Sequence, residues 1–252
     1  MHSPLFSLDG KVALVTGANV GLGRAIAVAL AQAGADICGV SRRAAPETAA
    51  DVAAAGRRFI GIEADLGSME PIEGIVADTV AGLGGLDILV NNAGIIRRAD
   101  ALDFSEADWD DVMNVNIKAA FFLAQAAGRV MVGQGSGKII NTASMLSFQG
   151  GIRVASYTAS KGGIAGITRL LACEWAGKGV NVNAIAPGYM ATDNTEQLRA
   201  DPTRNRDILA RIPAGRWGEP SDLGGAAVFL ASRASDYMHG AIIPVDGGWL
   251  AR

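Results

Sequence analysis

The chain has 252 residues, half of them hydrophobic, 19% charged and 33 of them glycine. That apolar share supports a large buried core and excludes an intrinsically disordered chain, and the length accommodates a single α/β domain. A formal charge of −3 and a pI near 5.4 argue against a nucleic-acid surface, since the arginine pairs Arg42-Arg43, Arg57-Arg58 and Arg97-Arg98 are scattered.

In chain order, Val12–Thr16 is an apolar strand candidate that stops at glycine, and residues 22–33 carry a helical pattern ending at Gly34. Strand candidates follow at residues 36–40, 58–63, 86–91, 138–144, 180–186 and 241–245, which makes seven. Helical stretches fill the gaps at residues 44–55, 69–81, 106–131, 157–176 and 221–231. Apolar strands alternating with helices predict an α/β fold: a Rossmann-like, doubly wound, seven-stranded parallel sheet with helices on both faces. Such a sheet binds ligands at the carboxyl ends of its strands. Residues 188–218 are polar, rich in Asn, Asp, Arg and Pro, and too long for a simple connection, so a substrate lid is expected there. No stretch reaches the roughly 18 consecutive apolar residues of a membrane span. The opening MHSPLFSL lacks the basic start and apolar length of a signal peptide. Cys38 and Cys173 lie far apart outside any C-x-x-C and read as buried thiols of a reducing compartment. The expectation is a soluble, cytoplasmic, single-domain protein with neither nucleic-acid nor membrane partners.

The first strand runs into Thr16-Gly17-Ala18-Asn19-Val20-Gly21-Leu22-Gly23, and a helix follows at once. Glycines at such a junction let the backbone turn tightly and approach a pyrophosphate, whose charge the helix N-terminus favours. Gly17, Asn19, Gly21, Leu22 and Gly23 are therefore nucleotide-binding candidates. The run Gly135-Ser136-Gly137-Lys138 imitates a triphosphate loop, but Val132 stands at its first glycine position and Ile139 where a metal-binding Ser or Thr is needed. What ends the second strand selects the cofactor, because an acid there suits the ribose hydroxyls of NAD and an arginine the phosphate of NADP. Ser41, Arg42 and Arg43 stand there, while Asp36 sits at the strand's start, facing away. Two cations and no acid favour NADP(H), with NAD(H) open as the alternative.

Tyr157 and Lys161 lie four apart on a predicted helix, so both side chains point at one place. Hydride transfer to a carbonyl carbon needs an acid to protonate the oxygen, and a phenol with a pKa of about 10 needs help to act as a base in reverse. A nearby ammonium supplies that help by favouring the phenolate. Ser144, closing the fifth predicted strand at the ligand edge, can donate to the substrate oxygen. Other chemistries lack their parts. His2 and His239 are both remote from Ser144, G-x-S-x-G is absent, and no zinc-ligand spacing occurs, so no catalytic metal is expected.

The glycine loop, Asn91-Asn92-Ala93-Gly94, Asn116, Ser144, Tyr157-Thr158-Ala159-Ser160-Lys161 and Pro187-Gly188 occur in an order that resembles the short-chain dehydrogenase/reductase family over the whole chain. The 13 residues from Ser144 to Tyr157 fit it as well. The resemblance implies that Lys161 also holds the nicotinamide ribose and that Asn116 positions a water for proton relay. It further implies that Asp65 and Leu66 approach the adenine, that Asn91, Ala93 and Gly94 lie beside the adenine ribose, and that Pro187, Gly188, Tyr189, Met190 and Thr192 reach the nicotinamide. For Asn91, Ala93 and Gly94 simple strand-end packing stays open. A homotetramer is implied too, with small residues in 157–176 and 221–231 permitting close helix packing.

Within the family, Ile96-Arg97-Arg98, Phe104-Ser105-Glu106 and residues 109–113, 144–153, 186–192, 212–218 and 246–252 resemble the 2-dehydro-3-deoxy-D-gluconate 5-dehydrogenases, also named 2-deoxy-D-gluconate 3-dehydrogenases. Gluconate 5-dehydrogenases are a sister activity. The substrate expected is a small acid sugar, bound by Ser144 and Tyr157. Its carboxylate needs a cationic partner inside a closed site, for which Arg97 and Arg153 are candidates, and Gln149 could bond a hydroxyl. Both arginines could instead face solvent or pair with acids such as Asp100 and Asp103. A dehydratase or epimerase that retains its nucleotide, and a nucleotide-binding scaffold without turnover, are the alternatives of other classes.

Overall fold

The structure is a computed structural model describing residues 4–252, so His2 lies outside the described residues. Seven strands form: β1 (Val12–Thr16), β2 (Asp36–Ser41), β3 (Phe59–Glu63), β4 (Ile88–Asn91), β5 (Gly137–Thr142), β6 (Val180–Pro187) and β7 (Ile242–Val245). They make one sheet in the order β3-β2-β1-β4-β5-β6-β7, every pair parallel. All residues of β1, β2, β4 and β6 are buried, because helices cover both faces. That double burial is why these strands are mostly apolar, and the buried Asn181 and Asn183 of β6 donate to the Asp236 and Met238 carbonyls.

The helices are α1 (Gly21–Gln32), α2 (Pro46–Ala54), α3 (Ile72–Leu83), α4 (Glu106–Met113), α5 (Ala119–Gln134), α6 (Ala155–Trp175), α7 (Glu196–Ala200), α8 (Pro202–Arg211) and α9 (Gly224–Ala231). On one face Ile26 and Leu30 of α1, Val52 of α2 and Leu230 of α9 pack with Val15 and Ile37. On the other, Ile75 of α3, Leu123 of α5 and Leu171 of α6 pack with Leu14 and Val182. The order of strands reverses between β1 and β4, which opens a crevice at their carboxyl ends.

Several expectations are corrected. The predicted helix 106–131 is three pieces, with a π-helical turn, Asn114–Lys118, between α4 and α5. By length and composition residues 106–134 would also pass for a membrane span. The stretch instead carries four acids in its first turns (Glu106, Asp108, Asp110, Asp111) and buries Leu123, Ala127 and Met131 against the sheet. The fifth strand ends at Thr142, so Ser144 is not its last residue but caps the 3-10 turn Met145–Ser147. Residues 188–218 are not irregular throughout, since they fold into α7 and α8, the latter capped by the Asp201 carboxylate. Cys38 is buried as expected, whereas Cys173 is exposed on the outer side of α6.

Two sequence features find structural uses. Gly135-Ser136-Gly137-Lys138 is the turn from α5 into β5, with Gly135 in the left-handed conformation that ends the helix (φ 68°). Asp36, at the far end of β2 from the glycines, accepts from the side chains of Arg57 (3.1 Å) and Arg58 (2.7 Å) and from the Arg58 backbone. Burial raises its carboxyl pKa, but these donors outweigh that and leave it below the usual range.

Candidate active site

The glycine loop is built so that side chains cannot enter it. A Cβ on Gly23 would collide with the Gly17 carbonyl oxygen, and Gly17 itself turns at φ 67°. The loop is then locked to the neighbouring strand. Thr16 Oγ1 accepts from the backbone N–H of Asn92 and of Ala93, both at 2.9 Å, and Asn92 Nδ2 donates to the Thr16 carbonyl at 3.0 Å. From below, Thr48 Oγ1 of α2 donates to the Ala18 carbonyl at 2.7 Å. The result is a concave backbone cradle opening on the N-terminus of α1, which suits a dinucleotide diphosphate.

Around this cradle the candidates fall into place unevenly. Ser41 donates to the Arg43 carbonyl at 2.7 Å and fixes the turn after β2, leaving Arg42 and Arg43 exposed and unpaired with any acid of the described residues. Ser41 and Arg43 also line a cavity of about 210 Å³, with Glu63 of β3 on its far wall. Asp65 is exposed just beyond β3 and Leu66 buried beneath it. Ala93 and Gly94 lie at the mouth of the crevice. The Asn91 side chain does not: it points into the core and donates to the Ala120 carbonyl and to Asn141, both at 3.0 Å. Strand-end packing accounts for that residue. Thr192 lies over the loop, within 3.7 Å of where a Gly21 Cβ would be, while Met190 is buried and paired with Gly218. Gly188 donates to Val245, with no room for a side chain against Asp246. Tyr189 packs edge-to-face on Trp217 and at a tilt on Trp249, and lines a pocket with Met190, Gly218 and Asp246.

Ser144, Tyr157 and Lys161 meet where β5, the turn after it and α6 converge. Lys161 is 4% exposed and donates from Nζ to the Thr142 carbonyl at 2.6 Å. Its Nζ lies 5.5 Å from the centre of the Tyr157 ring, over the ring. Burial pushes this ammonium down to about 8. Burial also pushes the Tyr157 phenol up, with the adjacent Ser144 hydroxyl and the Arg98 charge pulling the other way. The net direction at the phenol is upward, with burial the dominant cause. The nearby cation acting on Tyr157 is Arg98, which the sequence reading passed over because it stands in an ordinary-looking arginine pair. Asn116 is buried and its side chain is fully engaged. Its Oδ1 accepts from Ile95 N–H at 2.8 Å, and its Nδ2 donates to the Ile95 carbonyl and to Ser160 Oγ, so the side chain clamps the β4 loop to α6.

The substrate candidates are mostly engaged elsewhere. Arg97 pairs with Asp108 and Asp111, and Arg153 with Asp100, so neither offers a free guanidinium. Gln149 Oε1 accepts weakly from Trp249 and Arg211, which leaves its amide N–H groups to donate. Arg98, by contrast, has no acid partner among the described residues. Its Nη2 donates to the Asn194 carbonyl of the 188–218 segment at 3.2 Å.

A family model described as "Enoyl-(Acyl carrier protein) reductase" matches residues 17–250. The chain belongs to the short-chain dehydrogenase/reductase family. It is 63% identical to the 2-dehydro-3-deoxy-D-gluconate 5-dehydrogenase of Escherichia coli K12 over 98% of both chains. A solved Agrobacterium tumefaciens structure with bound NADP, provisionally assigned as a 2-deoxy-D-gluconate 3-dehydrogenase, superposes with a TM-score of 0.93 at 58% identity, covering 99% of this chain and all of that one. A gluconate 5-dehydrogenase of Burkholderia cenocepacia, solved with NADP and tartrate, gives a TM-score of 0.95 at 38% identity over 99% of this chain and 98% of its own. This short-chain dehydrogenase/reductase is thus an NAD(P)-dependent oxidoreductase acting on CH–OH groups.

The two perturbed groups set a pH dependence. Below the raised phenol pKa Tyr157 is protonated and can give its proton to a reduced carbonyl, whereas oxidation needs the phenolate that forms only as pH rises. We expect kcat/KM for alcohol oxidation to climb from pH 7 to 10, as the phenolate fraction grows, and that for ketone reduction to stay nearly flat over the same range because the raised phenol remains protonated. Rate profiles in both directions check this, and an oxidation rate flat with pH would contradict the assignment.

Proposed function

We propose that the enzyme interconverts a hydroxyl and a ketone on a small acid sugar such as 2-dehydro-3-deoxy-D-gluconate or 2-deoxy-D-gluconate, with gluconate itself as the near alternative. The names of its similar proteins support the substrate class, and the observation that carries it here is the Arg98 guanidinium at the Tyr157 rim of the crevice. Tyr157 protonates the carbonyl oxygen during reduction and accepts the proton during oxidation, while Ser144 donates a hydrogen bond to that oxygen as charge develops. The nucleotide, when bound, supplies or takes up the hydride. Gly17, Asn19, Gly21, Leu22 and Gly23 cradle its diphosphate, and Ala93, Gly94, Asp65, Leu66, Pro187, Gly188, Met190 and Thr192 line the rest of its path. Lys161, beneath the Tyr157 ring, reaches the nicotinamide ribose. Residues 188–218 close over the site as a lid on a single domain, tied to its rim through Arg98 and Asn194.

NADP(H) is the favoured nucleotide because Arg42 and Arg43 are free to meet a 2′-phosphate, and Glu63, the nearest acid in register with Ser41, stands on β3 rather than at the end of β2. The subunits assemble as a homotetramer, a reading supported by the exposed apolar Trp109, Phe122 and Leu170 on α4, α5 and α6. A cytoplasmic location fits the two free thiols, and cell fractionation checks it.

A charge-assisted contact to phosphate contributes about 1.5–3 kcal/mol, so Arg42→Ala should lower kcat/KM for NADPH roughly tenfold or more and spare NADH. Equal loss with both nucleotides would remove Arg42 from phosphate binding. Light scattering at micromolar concentration should give four subunits, and a monomer would refute the assembly. The substrate class is tested with a keto-acid sugar and its uncharged amide. Arg98→Gln acts on both substrates through the Tyr157 phenol but should cut kcat/KM on the acid about tenfold or more beyond its effect on the amide, whereas Arg97→Gln and Arg153→Gln should discriminate far less. Equal wild-type activity on acid and amide would sink the acid-sugar reading. Conversion of one nucleotide per sugar separates a dehydrogenase from a nucleotide-retaining dehydratase or epimerase.

A further inference from the structure

The catalytic groups come from two separate pieces of chain. Ser144 caps the 3-10 turn Met145–Ser147, while Tyr157 and Lys161 belong to α6. The segment joining them is poorly suited to fix their separation. It contains Gly150 and Gly151, exposes Phe148 and Ile152, and passes through Arg153 at φ 62°, the left-handed region. Rigid placement of Ser144 opposite the phenol must come from a contact across the gap.

Ser147 makes that contact from the Ser144 turn itself. Ser147 Oγ donates to the Lys161 carbonyl at 2.7 Å and accepts from the Ser144 backbone N–H at 3.3 Å. The Ser144 hydroxyl is oriented in turn by the Leu146 N–H, which donates to it at 3.2 Å and leaves its proton free for an acceptor in the crevice. Lys161 is tied to the β5 side at both ends, by its carbonyl to Ser147 and by its ammonium to Thr142. A separate backbone bond, Ser147 N–H to the Ser144 carbonyl at 2.9 Å, closes the turn itself and does not need the hydroxyl.

We propose that Ser147 is a positioning residue: its hydroxyl bridges the Ser144 turn to the Lys161 carbonyl and so sets the distance between the Ser144 hydroxyl and the Tyr157 phenol. Without it the turn still forms but floats against α6, and misplacement of a reacting group by about 1 Å can cost on the order of a hundredfold in rate. The inference rests on the catalytic assignment of Ser144, Tyr157 and Lys161, so Tyr157→Phe is run beside it.

The experiment compares Ser147→Ala, Ser147→Thr and Tyr157→Phe in the full enzyme. Measured together are kcat and KM for the keto acid, the NADPH dissociation constant, the melting temperature and the pH profile of oxidation. Ser147→Ala should lower kcat about tenfold or more while the NADPH dissociation constant stays within twofold, because the glycine cradle is untouched. Its oxidation profile should move to higher pH, since a drifting Ser144 no longer pulls the phenol down. Ser147→Thr, which restores a hydroxyl at the same place, should recover most of the rate and the wild-type profile. An unchanged kcat and profile in Ser147→Ala would overturn the proposal. So would a loss matched by falling nucleotide affinity and melting temperature and not recovered by Thr, which marks a merely structural role. If Ser147→Ala does not fold, a Thr variant with a lowered rate and a shifted profile overturns it, and one with the wild-type rate and profile supports it. Activity surviving in Tyr157→Phe would instead remove the catalytic assignment itself, a failure distinct from that of the bridge.

Discussion

The Thr16 hydroxyl spans the place where the sheet reverses its strand order, and the site depends on that span. It donates to the Val90 carbonyl at 3.4 Å and accepts from two successive N–H groups after β4, so one side chain joins the glycine loop of β1 to the Asn92-Ala93-Gly94 turn of β4. A parallel sheet leaves such strand ends without ladder partners, and a buried backbone N–H without a partner costs free energy. Satisfying them through Thr16 and Asn92 turns an open seam into a rigid crevice. The glycine loop lies on one side of it, and Ser144, Tyr157 and Lys161 lie on the other.

A second constraint comes from burying a lysine. Lys161 is almost wholly enclosed, and an enclosed ammonium demands an acceptor. The Thr142 carbonyl provides it at the end of β5, which draws α6 onto that strand and carries Tyr157 with it. The π-turn Asn114–Lys118 works toward the same end from the neighbouring helix by aiming Asn116 at Ile95 and Ser160. A π-turn inside an α-helix often marks a functional position, and here it points a polar side chain at the joint between the β4 loop and the catalytic helix.

The arginines divide into two populations. Arg24, Arg57, Arg58, Arg97, Arg129, Arg153, Arg206, Arg216 and Arg233 each lie beside a carboxylate. Arg42, Arg43 and Arg98, together with Arg169, Arg199, Arg204, Arg211 and Arg252, have no such partner among the described residues. Paired arginines on a mostly exposed surface contribute little individually, whereas unpaired ones around a crevice leave a positive field for an anion. A nucleotide phosphate at one end and a sugar carboxylate at the other would both enter that field. An acid chain of overall charge −3 thus presents cationic groups at the two ends of its site.

The sequence by itself determined the α/β class, the seven strands, the glycine loop and the Tyr157–Lys161 pair. These are local properties: apolar runs covered on both faces, glycines where a Cβ would collide, and two side chains a helical turn apart. It also determined the arginines after β2, because a strand's end is set by its own residues. What the sequence left open were partnerships between distant segments. Asn91 reads as a strand-end ligand contact until Asn141, 50 residues on, takes its amide into the core. Arg97 and Arg98 are indistinguishable as neighbours, yet α4 supplies acids to the first and the 188–218 segment only a carbonyl to the second. Lys161 reads as a helical neighbour of Tyr157, but no periodicity shows that the Thr142 carbonyl, 19 residues earlier, holds its ammonium. Hydrogen bonds and ion pairs across the fold depend on which groups the packed sheet and helices bring within about 3 Å, and no periodicity in the chain encodes that distance. Tertiary structure alone decided which polar groups were spent in holding the site together and which remained free to act.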